Sequence, residues 1–151
     1  MAAAATLILA AACQMALAPR MAVFGAKPDL LLVAVTVLAM KRGTDAAASV
    51  GFLAGLLHGG MTNANMAAYV ISRVLGAIGA SVVSRSTVAA TAITVTVASL
   101  VSTGIASLAF MLLGVPKDLL GWVLATLGTI VYNAALVGIV FAILGRARFR
   151  T

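Results

Sequence analysis

Apolar residues dominate the chain in six runs, which are separated only by short groups rich in Arg, Lys, Gly, Pro and Asn. Because a bilayer offers no hydrogen-bond partner to the backbone, runs of this kind are expected to be α-helical. The pattern therefore predicts an all-α integral membrane protein with about six transmembrane helices of uneven length. The predicted spans are residues 3–18, 28–40, 45–58, 65–83, 88–113 and 119–144.

The predicted spans differ in length in a way that bears on the architecture. The second and third have 13 and 14 residues, and the fifth and sixth have 26 each, whereas a straight crossing needs about 20. Short helices must be buried among neighbours or meet thinned lipid, and long helices must tilt or project. A regular parallel bundle is therefore not expected.

Composition supports a single membrane domain over residues 1–151. Of these residues 64% are hydrophobic and 9% are charged, and the chain contains no Glu. A soluble domain of this size needs a more polar surface than this composition can supply. The connections between the apolar runs are too short to form a separate catalytic or binding domain.

The net charge of +7 does not indicate a nucleic-acid partner. Basic residues lie at the ends of apolar runs, as orientation signals and lipid contacts do, and no basic face is interleaved with aromatic residues. With a cytoplasmic N-terminus, six basic residues lie inside and three outside, which predicts that both termini are cytoplasmic. The inside set is Lys41, Arg42, Arg85, Arg146, Arg148 and Arg150, and the outside set is Arg20, Lys27 and Lys117.

Glycines recur every four residues at Gly51, Gly55 and Gly59. On one helix they form a smooth stripe, against which a second helix can pack closely. The stripe predicts helix packing, either within this protein or with the helix of a partner.

His58 is the only histidine, and the next two residues are both glycine. A metal site would need further ligands, and no carboxylate is obviously placed to orient the imidazole for catalysis. The segment from His58 to Asn63 is therefore interpreted as a helix end, a turn and a Thr or Asn cap for the next helix. With a lone Cys13 and no convergent polar pocket in view, neither enzymatic activity nor a cofactor or metal is expected.

Three polar positions within or beside apolar runs have open roles. Arg73 must pair with a group from another segment, contact a partner or bind a ligand. Tyr132 and Asn133 need hydrogen-bond partners, which structure, a partner or a ligand could supply. Pro28 and Asp29 are typical of the first turn of a helix.

Four segments together resemble the MreD family over about residues 25–145. They are PDLLLVAV at 28–35, KRG at 41–43, GFLAGLL at 51–57 and VYNAALVGIVFAIL at 131–144. Gly59, directly after His58, stands where the family commonly has an acidic residue. By this resemblance and the packing signals, candidate positions for contact with a partner or between helices are Pro28, Asp29, Gly51, Gly55, His58, Gly59, Arg73, Tyr132 and Asn133.

The resemblance implies a membrane scaffold of the bacterial elongasome. Such a protein binds MreC and acts with MreB, RodZ, RodA and its penicillin-binding transpeptidase to position peptidoglycan synthesis and maintain rod cell shape. It is a multi-pass protein of the bacterial cytoplasmic (inner) membrane. The resemblance also implies a fold similar to the S-component of energy-coupling factor transporters, and the alternative function is therefore binding of a vitamin or other small molecule.

Overall fold

The computed structural model describes residues 2–23, 25–41, 43–63, 65–86, 91–114 and 116–148. Within these ranges the chain forms six α-helices and a short 3-10 helix, Ala18–Met21, and the only β-pairing is an isolated bridge between Val23 and Ala26. The predicted all-α fold is confirmed. The helices are α1 Ala2–Ala16, α2 Leu30–Met40, α3 Thr44–Thr62, α4 Met66–Arg85, α5 Ala92–Leu113 and α6 Leu119–Arg148.

Three helices are long and apolar enough to cross a membrane, namely α4, α5 and the Leu119–Ala142 part of α6. The α1 and α2 helices are apolar but shorter, with 15 and 11 residues. The expected unevenness is confirmed, because helix lengths run from 11 residues in α2 to 30 in α6. That all six helices cross the bilayer stays a prediction.

The short helix α2 lies at the centre of the protein. It contacts α1, α3, α4, α5 and α6. Its Leu31, Val35 and Ala39 side chains are fully buried. An 11-residue helix spans only about 17 Å at 1.5 Å per residue, and contact with five neighbours fits the expectation that a short helix is buried in the protein.

The glycine stripe of α3 packs against α4. A Cβ atom added at Gly51 would lie 2.8 Å from the Val74 Cα, and one added at Gly55 would lie 2.9 Å from the Tyr69 carbonyl oxygen. These are backbone atoms of α4, so the two helices approach more closely than any side chain allows. The stripe is therefore an internal helix contact, one of its two predicted uses.

The predicted helix end at His58 was wrong by about one turn. Helix α3 continues through both glycines to Thr62, and the chain turns at Asn63, whose φ of 49° is left-handed. Asparagine tolerates this conformation better than most residues, so it can end the helix without glycine. The predicted cap exists two residues later, where the Asn65 side chain accepts a hydrogen bond from the Ala68 N–H at 3.2 Å.

Parts of other predictions fall outside the described residues. These are positions 88–90 of the fifth predicted span, together with Arg42 and Arg150 of the charge count. Helix α5 begins at Ala92, and the Thr91 side chain caps it by accepting a hydrogen bond from the Thr94 N–H at 3.2 Å.

Candidate functional site

Asp29 is held at the start of α2 by local and long-range hydrogen bonds. Its Oδ1 accepts from the Leu32 N–H at 2.9 Å, which confirms the predicted helix entrance. Its own backbone N–H donates to Asn133 Oδ1 of α6 at 2.9 Å. The next N–H, of Leu30, donates to Gln14 Oε1 of α1 at 2.7 Å. Residues from three helices therefore fix this carboxylate in one position.

Arg73 forms an ion pair with Asp29, in which its Nη2 donates to Asp29 Oδ2. The two side chains are 7% and 15% exposed. A buried charge is tolerated only when it is paired, because each ion has lost its hydration. This answers the question that the sequence left open for Arg73, since the pairing group does come from another segment.

His58 joins the ion pair, and the three residues Asp29, His58 and Arg73 form a cluster. Its Nδ1 lies 3.0 Å from Arg73 Nη2. Because a guanidinium group can only donate, Nδ1 is the acceptor and the proton of the neutral ring is on Nε2. Nδ1 also lies 3.9 Å from Asp29 Oδ1, but no proton is left to join these two atoms. No carboxylate was evident beside this imidazole from the sequence, yet the N-cap of α2 brings Asp29 there.

An aromatic wall supports the histidine ring. The imidazole stacks on the Tyr69 ring with centroids 4.5 Å apart, and Tyr69 meets Phe110 edge-on at 4.9 Å. The guanidinium carbon of Arg73 lies 5.6 Å from the centroid of the same Tyr69 ring. The tyrosine thereby restricts the orientation of both the imidazole and the guanidinium group.

Gly59 packs closely against Met66, so the acidic side chain that the resemblance to the MreD family would place here would require Met66 to move. A Cβ atom there would lie 2.7 Å from Met66 Sδ and 3.1 Å from Met66 Cα. The carboxylate near His58 is supplied by Asp29 instead. Over the described ranges, no three His, Cys, Asp or Glu residues lie close enough together to hold a metal ion.

Asn133 and Tyr132 are adjacent, but they have different environments. Asn133 is fully buried, and its Nδ2 donates to Thr103 Oγ1 at 3.2 Å while its Oδ1 accepts from Asp29. Its role is therefore a structural one. Tyr132 is half-buried, and its hydroxyl makes no hydrogen bond to any residue that the structure describes.

A cavity of about 410 Å³ adjoins the Asp29–His58–Arg73 cluster. It lies where α1, α3 and α5 end and where α2, α4 and α6 begin. A convergent polar pocket therefore exists, contrary to the sequence-based expectation. The lining residues are Gln14, Gly25, Lys27, Pro28, Asp29, His58, Tyr69, Arg73, Ala106, Ser107, Phe110, Trp122, Ala125, Thr126 and Thr129.

Sequence reasoning missed part of this site. Gln14 is the only glutamine in the chain and lies near the end of an otherwise apolar helix, which is a signal that could have marked it. Tyr69 and Trp122 line the cavity, whereas Tyr132 does not. Asn133 acts on the site only through the backbone of Asp29, and no local pattern reveals that contact.

A separate groove of about 620 Å³ runs along the exposed side of α6, beside Val23 and Ala26. Only 17% of the apolar membrane-length part of α6 is buried within the protein, against 44% for α4 and 39% for α5. Helix α6 is thus the least covered of the three long apolar helices. The groove is lined by Val23, Ala26, Leu124, Leu127, Gly128, Val131, Tyr132 and Ala135.

Comparisons with protein families, with curated proteins and with solved structures found no match to this chain.

Replacing Asn133 with Leu is expected to lower the free energy of unfolding by about 1–3 kcal/mol, because the Asp29 N–H and the Thr103 hydroxyl would lose a buried partner. SDS-induced unfolding in mixed micelles, followed by circular dichroism, measures this change. Tyr132→Leu is the matched control at the adjacent position, and it should change stability much less. Equal effects of the two substitutions would contradict the structural role of Asn133.

Proposed function

We propose that the protein is a non-enzymatic membrane scaffold of the MreD type, which binds the transmembrane helix of an MreC-like partner in the α6 groove. One observation carries the proposal. Tyr132 lines an apolar groove, and its hydroxyl has no hydrogen-bond partner among the described residues. A polar group in such surroundings is stabilised when another helix supplies its partner.

The shape of the groove also supports a helical occupant. Leu124, Gly128, Val131 and Ala135 follow one another at spacings of four, three and four residues, so they lie on one face of α6. Ala135 is small enough for a second helix to approach, and Leu124 and Val131 provide packing contacts. Gly128 instead accommodates Ala26, whose Cβ would lie 2.5 Å from a Cβ added at Gly128. The groove contains no charged residue, so an apolar segment can occupy it.

The other candidate positions do not offer a partner surface. Gly51, Gly55 and Gly59 are buried in α3, and the charged cluster and Asn133 are interior. Among the nine positions named from the sequence, Tyr132 is the one that lines the open groove. The partner interface is therefore assigned to α6 and not to the glycine stripe.

The proposal includes the rest of the implied assembly. The protein would act in the bacterial cytoplasmic membrane with MreB, RodZ, RodA and its penicillin-binding transpeptidase to position peptidoglycan synthesis. Its six-helix arrangement would be that of an S-component. With both termini cytoplasmic, the cavity would open toward the outer face, because it lies at the end that carries Lys27, while Lys41 and Arg85 lie at the other end.

Tyr132→Phe is expected to weaken binding of the partner about threefold, because an interhelical hydrogen bond in a membrane contributes about 0.6 kcal/mol. Co-purification of a tagged MreC-like protein over a series of expression levels measures this change. The substitution removes no hydrogen bond to any residue that the structure describes, so the amount of inserted protein should stay the same. Unchanged partner binding would show that the hydroxyl is not part of the interface.

Cross-linking gives a direct test of the location. A photo-reactive residue at Val131, which is 67% exposed in the groove, should cross-link to the partner in cells. The same residue at Leu112, which is 77% exposed on α5 outside the groove, is the matched control and should label only lipid. Partner products from position 112 but not from position 131 would refute the α6 interface.

The polar cavity favours a second candidate function, the capture of a small molecule in the manner of an S-component. Polar and aromatic groups that converge from several helices are typical of ligand sites, and this cavity has both. The protein would then purify with a vitamin-sized metabolite or with an energy-coupling ATPase module. Mass spectrometry of the purified protein and of its extracted ligands distinguishes this function from the scaffold.

A further inference from the structure

We infer that the cavity beside Asp29, His58 and Arg73 is a binding site for a small oxyanion, a carboxylate or a phosphate group. The inference goes beyond the scaffold function, because it does not involve the α6 groove. It rests on the second candidate function, the capture of a small molecule, and it names the chemical class of that molecule.

Arg73 carries the first part of the argument. The residue is only 6% exposed and lines the cavity. Its Nη2 makes the hydrogen bonds to Asp29 and His58, whereas Nε and Nη1 make none within the described part of the chain. Nε is the guanidinium donor that is buried without a partner, which is costly, so a ligand that accepts hydrogen bonds is favoured here.

Several other polar groups that line the cavity can donate hydrogen bonds. The neutral His58 ring carries its proton on Nε2, because Nδ1 is occupied by Arg73. Tyr69 and Trp122 line the same space, and their hydroxyl and indole N–H make no hydrogen bond to any described residue. By contrast, both oxygens of Asp29 already accept hydrogen bonds. A ligand that supplies hydrogen-bond acceptors therefore fits these donors.

The charges at the cavity point to an anion. Asp29 offsets the charge of Arg73, and His58 is neutral in this hydrogen-bond arrangement. Lys27 is exposed at the cavity and has no ion pair among the described residues, so the lining carries one net positive charge. A singly charged oxyanion would balance it, and arginine binds such groups with favourable geometry.

The site could receive its anion from two sources. Arg73 is the eighth residue of α4, about 10 Å from the helix start at 1.5 Å per residue, which is a depth that the headgroup of an anionic lipid could reach. A free phosphate or carboxylate from the aqueous side offers the same chemistry. The shared feature is the oxyanion, and the experiment distinguishes the sources.

Trp122 is the only tryptophan and lines the cavity, so its fluorescence reports on the site directly. The protein is purified in maltoside micelles, which contain no phosphate, and kept in a low-chloride buffer. It is titrated with inorganic phosphate and separately with dioctanoyl-phosphatidylglycerol, with uncharged dioctanoylglycerol as the lipid control. Saturable fluorescence changes with phosphate or with the phospholipid, and none with dioctanoylglycerol, are expected.

The relative affinities identify the source. Phosphatidylglycerol binding at least tenfold tighter than phosphate binding indicates a lipid headgroup, and equal or tighter phosphate binding indicates a soluble anion. The absence of a saturable change with either anion would overturn the inference. A scaffold without an anion site would show no saturable fluorescence change but would still cross-link to its partner at position 131. The two experiments therefore test the anion site and the scaffold function separately.

Two substitutions place the binding in the cavity. Arg73→Lys keeps a cation beside Asp29 but loses the planar guanidinium group, which can donate two parallel hydrogen bonds to an oxyanion. It should raise the apparent Kd about tenfold or more. Lys27→Gln should raise it about threefold, and it does not disturb the buried pair. Lys117→Gln, an exposed lysine that does not line the cavity, is the control and should have no effect. If Lys27→Gln leaves the apparent Kd as unchanged as Lys117→Gln does, and Arg73→Lys also leaves it unchanged, the inference is wrong.

Discussion

Replacing Asp29 with Asn should destabilise the protein by about 3–5 kcal/mol, because the Arg73 charge would remain buried without its partner. Asparagine can still cap α2, because its amide oxygen accepts hydrogen bonds as well as aspartate does at a helix start. Its NH2 group would replace the oxygen that accepts from Arg73, so the substitution removes both the charge and the acceptor of the ion pair. The free energy of unfolding from SDS titration in mixed micelles measures the effect.

Two controls show whether the ion pair is the cause. Asp45 is exposed in the first turn of α3, and Asp45→Asn should cost no more than about 0.3–1 kcal/mol through the helix dipole. The double variant Asp29→Asn with Arg73→Met removes both buried charges and should recover much of the lost stability, because an apolar side chain carries no desolvation penalty. A double variant that is no more stable than Asp29→Asn alone would contradict this explanation.

Replacing Gly55 with Ala should reduce stability by about 3 kcal/mol or more, the upper range for overpacking. The new methyl group would meet the Val70 Cα and the Tyr69 carbonyl oxygen, which belong to the backbone of α4 and cannot rotate away. Helices α3 and α4 would have to separate. Thermal stability, measured as the monomeric fraction after heating in detergent, should fall accordingly.

Gly104→Ala is the matched control for this substitution. It lies in the middle of α5, and apart from its chain neighbours and the adjoining backbone of its own helix, no described atom lies within 4 Å of its added Cβ. Alanine should stabilise that helix by about 0.8–1 kcal/mol through its higher helix propensity. Similar outcomes at positions 55 and 104 would show that the α3–α4 contact is looser than the structure indicates.

The position of Gly55 also affects how partner binding is tested. A bulky side chain such as Leu at this site would disrupt the α3–α4 contact itself, so loss of a partner would follow from misfolding. Substitutions at Val131 or Tyr132 avoid this problem, because they lie at the open groove of α6. The interface experiments therefore belong on α6.

Sequence reasoning succeeded where the physical cause was local or followed from the bilayer. Long apolar runs predict helices because lipid cannot satisfy backbone polar groups, and all six predicted helices are present. The helix start at Asp29 depends on neighbouring residues, and the structure confirms it through the hydrogen bond to Leu32. Pro28 lies before this cap and not in the first turn of α2, which begins at Leu30. The glycine stripe predicted close packing, although it could not identify the opposing helix.

The candidate site depended on distances that the sequence does not encode locally. Asp29 and Arg73 are 44 residues apart, and Asp29 and Asn133 are 104 apart, yet each pair is in contact. The sequence indicated that a lone Arg73 needs a partner, because an unpaired buried charge is costly. It could not choose Asp29 over the other aspartates. The course of α3 beyond His58 was equally hidden, since Asn63 could end the helix as well as the glycines could.

By itself, then, the sequence determined that the chain is helical, that its helices are apolar enough for a membrane and that they differ in length, because hydrophobicity and backbone hydrogen bonding act over a few residues. Only the tertiary structure determined that Asp29, His58 and Arg73 meet beside one cavity. It also determined that the glycine stripe of α3 packs against α4 and that Tyr132 lines a groove. Those outcomes depend on which helices become neighbours, and that choice is made by the packing of the whole protein and not by any one segment.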